Sequence, residues 1–178
     1  MTARRFFSSA SLICLILALL LVWRRTTPQR LAFGNANSFK KVKETSTKVS
    51  PISIKIERLG ITLDIFPANL SSNHWQVTDK GVSYLSLTPI PGDLGNSVLY
   101  GHNWPNLLGK LIKIKPGDKI VITYSNGTTK NFLVEYTATV KPNQTYILNP
   151  SSDHRITIYT CTGFMDSKRF VAVATIIS

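Results

Sequence analysis

Cysteine is nearly missing from this 178-residue chain, which has only Cys14 and Cys161. Cys14 lies inside an uncharged apolar stretch and Cys161 near the C terminus, so no disulfide framework is expected and Cys161 stands as a lone thiol. Acidic residues are scarce too, nine against 21 lysines and arginines, for a net charge of +12. Residues 1–50 carry nine of the bases and one acid, net +8, leaving 12 − 8 = +4 for residues 51–178. The basic excess is therefore N-terminal. That argues against a nucleic-acid-binding domain, whose charge would sit on its folded part, and suits an anionic lipid or polymer surface. No histidine follows Cys161, which excludes the papain-like order of cysteine before histidine. Internal repeats are absent, and helical periodicity nearly so beyond residue 23, which sets aside solenoids and bundles.

One long hydrophobic run is present. Phe6 to Trp23 is an 18-residue uncharged stretch with Arg4 and Arg5 before it and Arg24 and Arg25 after it. A spanning helix needs about 20 apolar residues, so residues 1–23 are expected to form a membrane anchor. The rival is a signal peptide, with Gly34-Asn35-Ala36 as a weak cleavage candidate. Residues 24–50, rich in Ser, Thr, Asn and Lys and without periodicity, read as a flexible basic linker. Residues 51–178 then form one exported domain.

Turn residues and period-two alternation dominate that domain. Ile52, Ile54 and Ile56 alternate before Gly60, and Ile61 to Phe66 follows as in a hairpin. Gly92 to Asn96 is a loop before a strand at Ser97 to Tyr100. Asn126-Gly127 marks a tight turn between Lys119–Tyr124 and Thr129–Val140, where Phe132, Val134, Tyr136, Ala138 and Val140 share a face. Lys141 to His154 is a polar loop. Arg155 to Cys161 and Arg169 to Ile177 are two further strands. Roughly eight short strands predict a single all-β barrel or sandwich with one or two short helices, near Asn103 to Leu111 and Thr78 to Tyr84.

The last two strands carry the chemistry. Seven residues, Thr162 to Lys168, separate Cys161 from Arg169, so the strands are antiparallel neighbours with both residues at the loop end. An ordinary thiol is only a few per cent thiolate at neutral pH, and a nucleophilic one needs a base or cation nearby. His102, after a short apolar run, is the candidate general acid/base, and Arg169 the candidate oxyanion or backbone clamp. Each has a plain reading as well: a buried cysteine serving as a small hydrophobe, a surface arginine beside Lys168. His154 lies at the far end of the cysteine strand and His74 in a polar loop, so neither is a good partner.

Thr157 to Cys161, followed eight residues later by Arg169-Phe-Val-Ala-Val-Ala, resembles the signature of the sortases, bacterial surface-protein transpeptidases. The likeness extends to Pro91-Gly92-Asp93-Leu94-Gly95-Asn96 through Gly101-His102 and to Leu111 to Ile120, about residues 52–177 in all. It implies an eight-stranded sortase-like β-barrel on an N-terminal transmembrane helix and linker, most similar to classes D and E. Cys161 would attack the Thr–Gly bond of a Leu-Pro-x-Thr-Gly-like sorting signal and form a thioester, with His102 as acid/base, Arg169 holding substrate and oxyanion, and Thr160 lining the groove. Partners would be sorting-signal-bearing surface proteins or pilins, a cell-wall or pilin amine, and the membrane, with the domain extracellular and no nucleic acid. No cofactor is expected. Calcium-binding relatives use loop acids, and between Gly101 and Cys161 only Asp118, Glu135 and Asp153 occur, so no metal site is expected. The alternatives are a non-catalytic membrane-tethered β module binding wall polymer, and an L,D-transpeptidase-like crosslinking enzyme, whose Ser-x-Gly-Cys-x-Arg run this chain lacks.

Overall fold

The computed structural model describes residues 2–26, 31–33, 49–71 and 74–177, without the side chains of 2–10, 24–26, 71 and 74. Ten strands follow an N-terminal helix, α1 (Thr2–Thr26): β1 (Pro51–Ile56), β2 (Ile61–Ala68), β3 (Leu70–Ser71), β4 (His74–Trp75), β5 (Val82–Leu85), β6 (Gly95–Gly101), β7 (Lys119–Tyr124), β8 (Thr129–Val140), β9 (His154–Thr162) and β10 (Lys168–Ile177). Eight of them close into a barrel in the order β1-β2-β5-β6-β9-β10-β8-β7, while β3 and β4 form a small separate pair. This is the expected all-β, eight-stranded architecture.

Two clusters share the apolar residues. Ile54, Ile56, Leu99, Ile120, Ile122, Phe132, Ile156, Ile158 and Ala172 belong to the larger one, inside the barrel. A second cluster lies on the other face of β6, β9 and β10, around Tyr100, Tyr159, Val171 and Val173. Successive residues of a strand point to opposite faces, so β9 feeds both: Ile156 and Ile158 go inward, Tyr159 and Cys161 outward. The Asn126-Gly127 turn forms as expected, with Gly127 at φ 82° and its N–H donating to the Tyr124 carbonyl at 2.9 Å.

Three details depart from the periodic reading. Ile52 is exposed and Pro51 buried, because the β1–β7 register shifts between Pro51 and Ser53. The β8–β10 register likewise shifts at Val173/Ala174, leaving Glu135 unopposed. The bulge turns the buried face of β8 over: Phe132 and Val134 sit in the inner cluster, Val140 in the outer, and Tyr136 is exposed. Thr78 to Tyr84 is not helical but runs into β5, which pairs in parallel with β2. A Cβ on Gly81 would lie 2.3 Å from the Asp64 carbonyl oxygen, an approach that only glycine permits. The other expected helix appears as a 3-10 turn, Leu108–Lys113.

The N-terminal expectations meet a partial answer. α1 covers the apolar run, yet among the described residues no helix is long and apolar enough to cross a membrane. The proposed cleavage site at Gly34 to Ala36 lies outside the described residues. Within the stretch read as a linker, Leu31 and Phe33 are buried in the outer cluster, with Ala32 packed against it.

Candidate active site

Three adjacent barrel strands carry the site. Cys161 on β9 pairs directly with Arg169 on β10. On its other side, β6 runs parallel to β9 with Gly101 opposite Thr160, so His102, one residue further, comes level with Cys161. The strand register thus brings His102, Cys161 and Arg169 level at one end of three neighbouring strands. None of the three is open to water: Cys161 is 3 % exposed, His102 8 % and Arg169 3 %.

The loop after β6 fixes the imidazole. The His102 ring stacks on Trp104, centroids 4.4 Å apart and planes 10° from parallel. The Trp104 carbonyl accepts from the N–H groups of Leu107 and Gly109, and the His102 carbonyl from that of Leu108. Asn103 Nδ2 ties this loop to Asp166 Oδ1 in the β9–β10 connection at 3.2 Å.

Arg169 is held as firmly. Its Nη1 donates to the carbonyls of Asp166 at 2.9 Å and Lys168 at 3.0 Å, and its Nη2 to that of Ala32 at 3.0 Å. Its Nε is buried without a hydrogen-bond partner among the described residues. An unmet buried donor costs roughly 1–3 kcal/mol, so this position favours any acceptor brought to it, such as a peptide carbonyl or oxyanion.

Thr160 departs from its expected place. Strand alternation turns its side chain away from the face of Cys161; it is fully buried and its Oγ1 donates to the Gly101 carbonyl at 2.8 Å. It joins β9 to β6 just before His102 rather than lining the groove. His154 begins β9, its Nδ1 3.1 Å from the Gly92 carbonyl oxygen, and takes no part. The side chain of His74 lies outside the described residues.

Beside the thiol, on the same face, is an aromatic wall. Tyr100 and Tyr159 stack at 5.4 Å, and Trp75 meets Tyr100 edge-on at 5.3 Å. Burial raises the Tyr159 hydroxyl well above its ordinary pKa, Tyr100 adding to the effect and Arg169 opposing it. Ile147 and Leu148, from a 3-10 turn in the 141–153 loop, complete that side. Neither this wall nor Trp104 was found from sequence. Trp104 had a signal, two residues after His102; the wall joins residues from distant segments and had none.

The three candidate loop acids are otherwise engaged: Asp118 with Arg58, Asp153 with Arg155, and Glu135 as acceptor from Thr175 Oγ1. No group of three or more metal-ligating side chains occurs among the described residues.

The family model for the sortase domain matches residues 54–177, from within β1 to the end of β10. The chain belongs to the sortase family. It is 34 % identical over 125 residues to sortase A of Listeria monocytogenes, a match that covers 68 % of this chain and 54 % of that protein. The match thus spans about half the length of that relative. The barrel also superposes on the crystal structure of Listeria monocytogenes sortase A with a TM-score of 0.61 at 27 % identity, covering 72 % of this chain and 88 % of that one. A lid mutant of sortase A from Corynebacterium diphtheriae gives 0.62 at 26 % identity, covering 75 % and 73 %. In this sortase the Pro91 to His102 block forms the loop into β6 and β6 itself and ends on the histidine, while Leu111 to Ile120 forms the end of the 3-10 turn and the start of β7.

Proposed function

We propose that this sortase is a cysteine transpeptidase acting on a Leu-Pro-x-Thr-Gly-like sorting signal. The observation that carries the reading is the placement of Cys161 between His102 and Arg169 on three neighbouring strands. The Cys161 sulfur attacks the threonine carbonyl carbon, an S–C bond forms and the C–N bond to glycine breaks. His102 delivers a proton to the departing amine. Arg169 donates to the carbonyl oxygen as it gains charge, with Nε the unfilled donor. An incoming amine of a cell-wall precursor or pilin then attacks the thioester, passes a proton to His102 and releases the thiolate.

The anchoring proposal is separate. The uncharged run from Phe6 to Trp23 between arginine pairs, with large apolar side chains from Leu12 to Trp23 that are 47–67 % exposed, supports α1 as a single membrane span; the barrel is placed outside the cell by the proposed reaction, whose amine acceptor lies there.

Mass spectrometry of the full chain with a sorting-signal peptide tests the chemistry. An acyl-enzyme on Cys161, discharged onto an added amine, is the expected result. Hydrolysis without transfer leaves a protease, and a thiol inert to the peptide and to alkylating probes leaves a β module that binds wall polymer.

A further inference from the structure

We infer that the end of the barrel holding Cys161, His102 and Arg169 docks on anionic lipid headgroups, seating its exposed apolar side chains among them. The docking does not depend on the acyl-transfer chemistry. Chain direction defines the face. β6 and β9 end there and β7 and β10 begin there, so the loop after His102, the 3-10 turn Leu108–Lys113 and the β9–β10 connection all lie at one end. The 3-10 turn packs against β9 and β10.

Positive charge gathers on this end. Lys110, Lys113 and Lys115 are exposed on and just after the turn, as are Lys141 following β8 and Lys168 opening β10. Nearby acids are engaged: Glu57 lies 3.4 Å from Lys55, the Asp118 carboxylate bonds Arg58, and Asp166 accepts from Asn103. At the opposite end the charges offset one another, Asp153 bonding Arg155 and Asp93 lying 3.9 Å from Lys130. The excess of +4 on residues 51–178 therefore falls largely on the catalytic end.

Apolar side chains protrude among these lysines. Phe164, in the β9–β10 connection, is 87 % exposed, and Ile112, between Lys110 and Lys113, is 49 % exposed. Left-handed backbone shapes that connection, with Gly163 at φ 79°, Met165 at 51° and Asp166 at 58°, a region that disfavours the side chains of the last two. Leu94 is exposed as well, but it stands at the charge-balanced end. Lysines interleaved with apolar tips match a surface that is anionic outside and apolar just beneath, which a headgroup layer offers and a soluble polyanion does not. Docking of this kind holds the catalytic end at the level of membrane-linked reactants.

Hydrogen exchange of the full chain reconstituted in vesicles tests this. Amides of residues 108–113 and 163–168 should exchange about threefold more slowly, or slower still, with about one-third phosphatidylglycerol than with phosphatidylcholine alone, and high salt should erase the difference. Lys110→Glu/Lys113→Glu should abolish the slowing and Phe164→Ser should weaken it, with melts unchanged because these side chains are exposed. Equal exchange of the native chain in the two vesicles overturns the inference, and so does a slowing that survives both variants. Sodium polyphosphate added to the detergent-solubilised chain separates the two sources of phosphate: protection of the same amides there assigns the face to a soluble polyanion and overturns the lipid reading. A chain that floats only with anionic vesicles defeats the proposed span of α1 instead. In that case loss of flotation in Lys110→Glu/Lys113→Glu supports the face, and unchanged flotation overturns it.

Discussion

Arg169 stands directly across the β9–β10 ladder from Cys161, with its Nη groups spent on backbone carbonyls and its Nε unpartnered among the described residues. In the proposed reaction that division of labour leaves Nε as the donor to the carbonyl oxygen. Arg169→Ala is expected to lower kcat/KM by about 10²–10³, the usual loss of one oxyanion donor. Arg169→Lys should restore little, since an ammonium lacks the planar fork that bonds Asp166, Lys168 and an incoming carbonyl together. Steady-state kinetics with a donor peptide, read beside thermal melts of both variants, checks this. Near-native kcat/KM in the lysine variant would show that charge alone suffices.

Trp104 should act through His102. Aromatic stacking of this kind is worth about 0.5–1.5 kcal/mol beyond the area it buries, and the ring has no shown role except to hold the imidazole. Trp104→Ala is therefore expected to reduce kcat about two- to tenfold, and Trp104→Phe to recover most of it. Alkylation of Cys161 should slow in step with His102→Ala, in which the proposed proton-transfer partner is gone. A Trp104→Ala loss confined to KM would place Trp104 on the substrate instead.

The parts of this molecule that local pattern could show are those set by local pattern. Cys161 and Arg169 were legible as a pair because two β-branched runs and a seven-residue connection leave one antiparallel arrangement, and the loop end follows from chain direction. His102 was legible as a strand end, and β6 does stop one residue before it. Alternation failed at Ile52 and beyond Glu135, since a bulge inserts one residue and exchanges the two faces without leaving a mark in residue types. Thr160 failed for a related reason: its nearness to Cys161 in sequence puts it on the opposite side of the strand. Leu31 and Phe33 were hidden by composition. Two apolar residues in a polar stretch show no periodicity, and only the aromatic wall, assembled from β4, β6 and β9, gives them a seat.

Acid should weaken the barrel through Asp118. Its carboxylate accepts from Arg58 and from the Lys115 N–H, and these hydrogen bonds hold it below the usual carboxylate range, the arginine contributing most. A depressed folded pKa stabilises the fold above the unfolded value, near 4, and that stabilisation drains away as pH falls toward the folded value. The melting temperature of the native protein is therefore expected to exceed that of Asp118→Asn at neutral pH, and the gap should close as pH drops below about 4. Asp153, held at about 2 chiefly by Arg155, is 39 % exposed, so Asp153→Asn should move the melt much less. A gap for Asp118→Asn that is constant with pH would assign the loss to packing rather than to ionisation.

Thr160 is the sharpest test of position against contact. Thr160→Val keeps the shape and removes the Oγ1 donor, leaving the Gly101 carbonyl without that bond, at a cost of about 1–3 kcal/mol in stability. Gly101 is the last residue of β6 and precedes His102, so loosening it displaces the imidazole relative to the thiol. The expected signature is a fall in kcat with KM nearly unchanged, measured well below the melting temperature. Thr160→Ser, which keeps the hydroxyl, should restore both kcat and most of the melt. A side chain that touched the peptide would behave the other way, raising KM in the valine variant while sparing kcat, and such a split would return Thr160 to the groove.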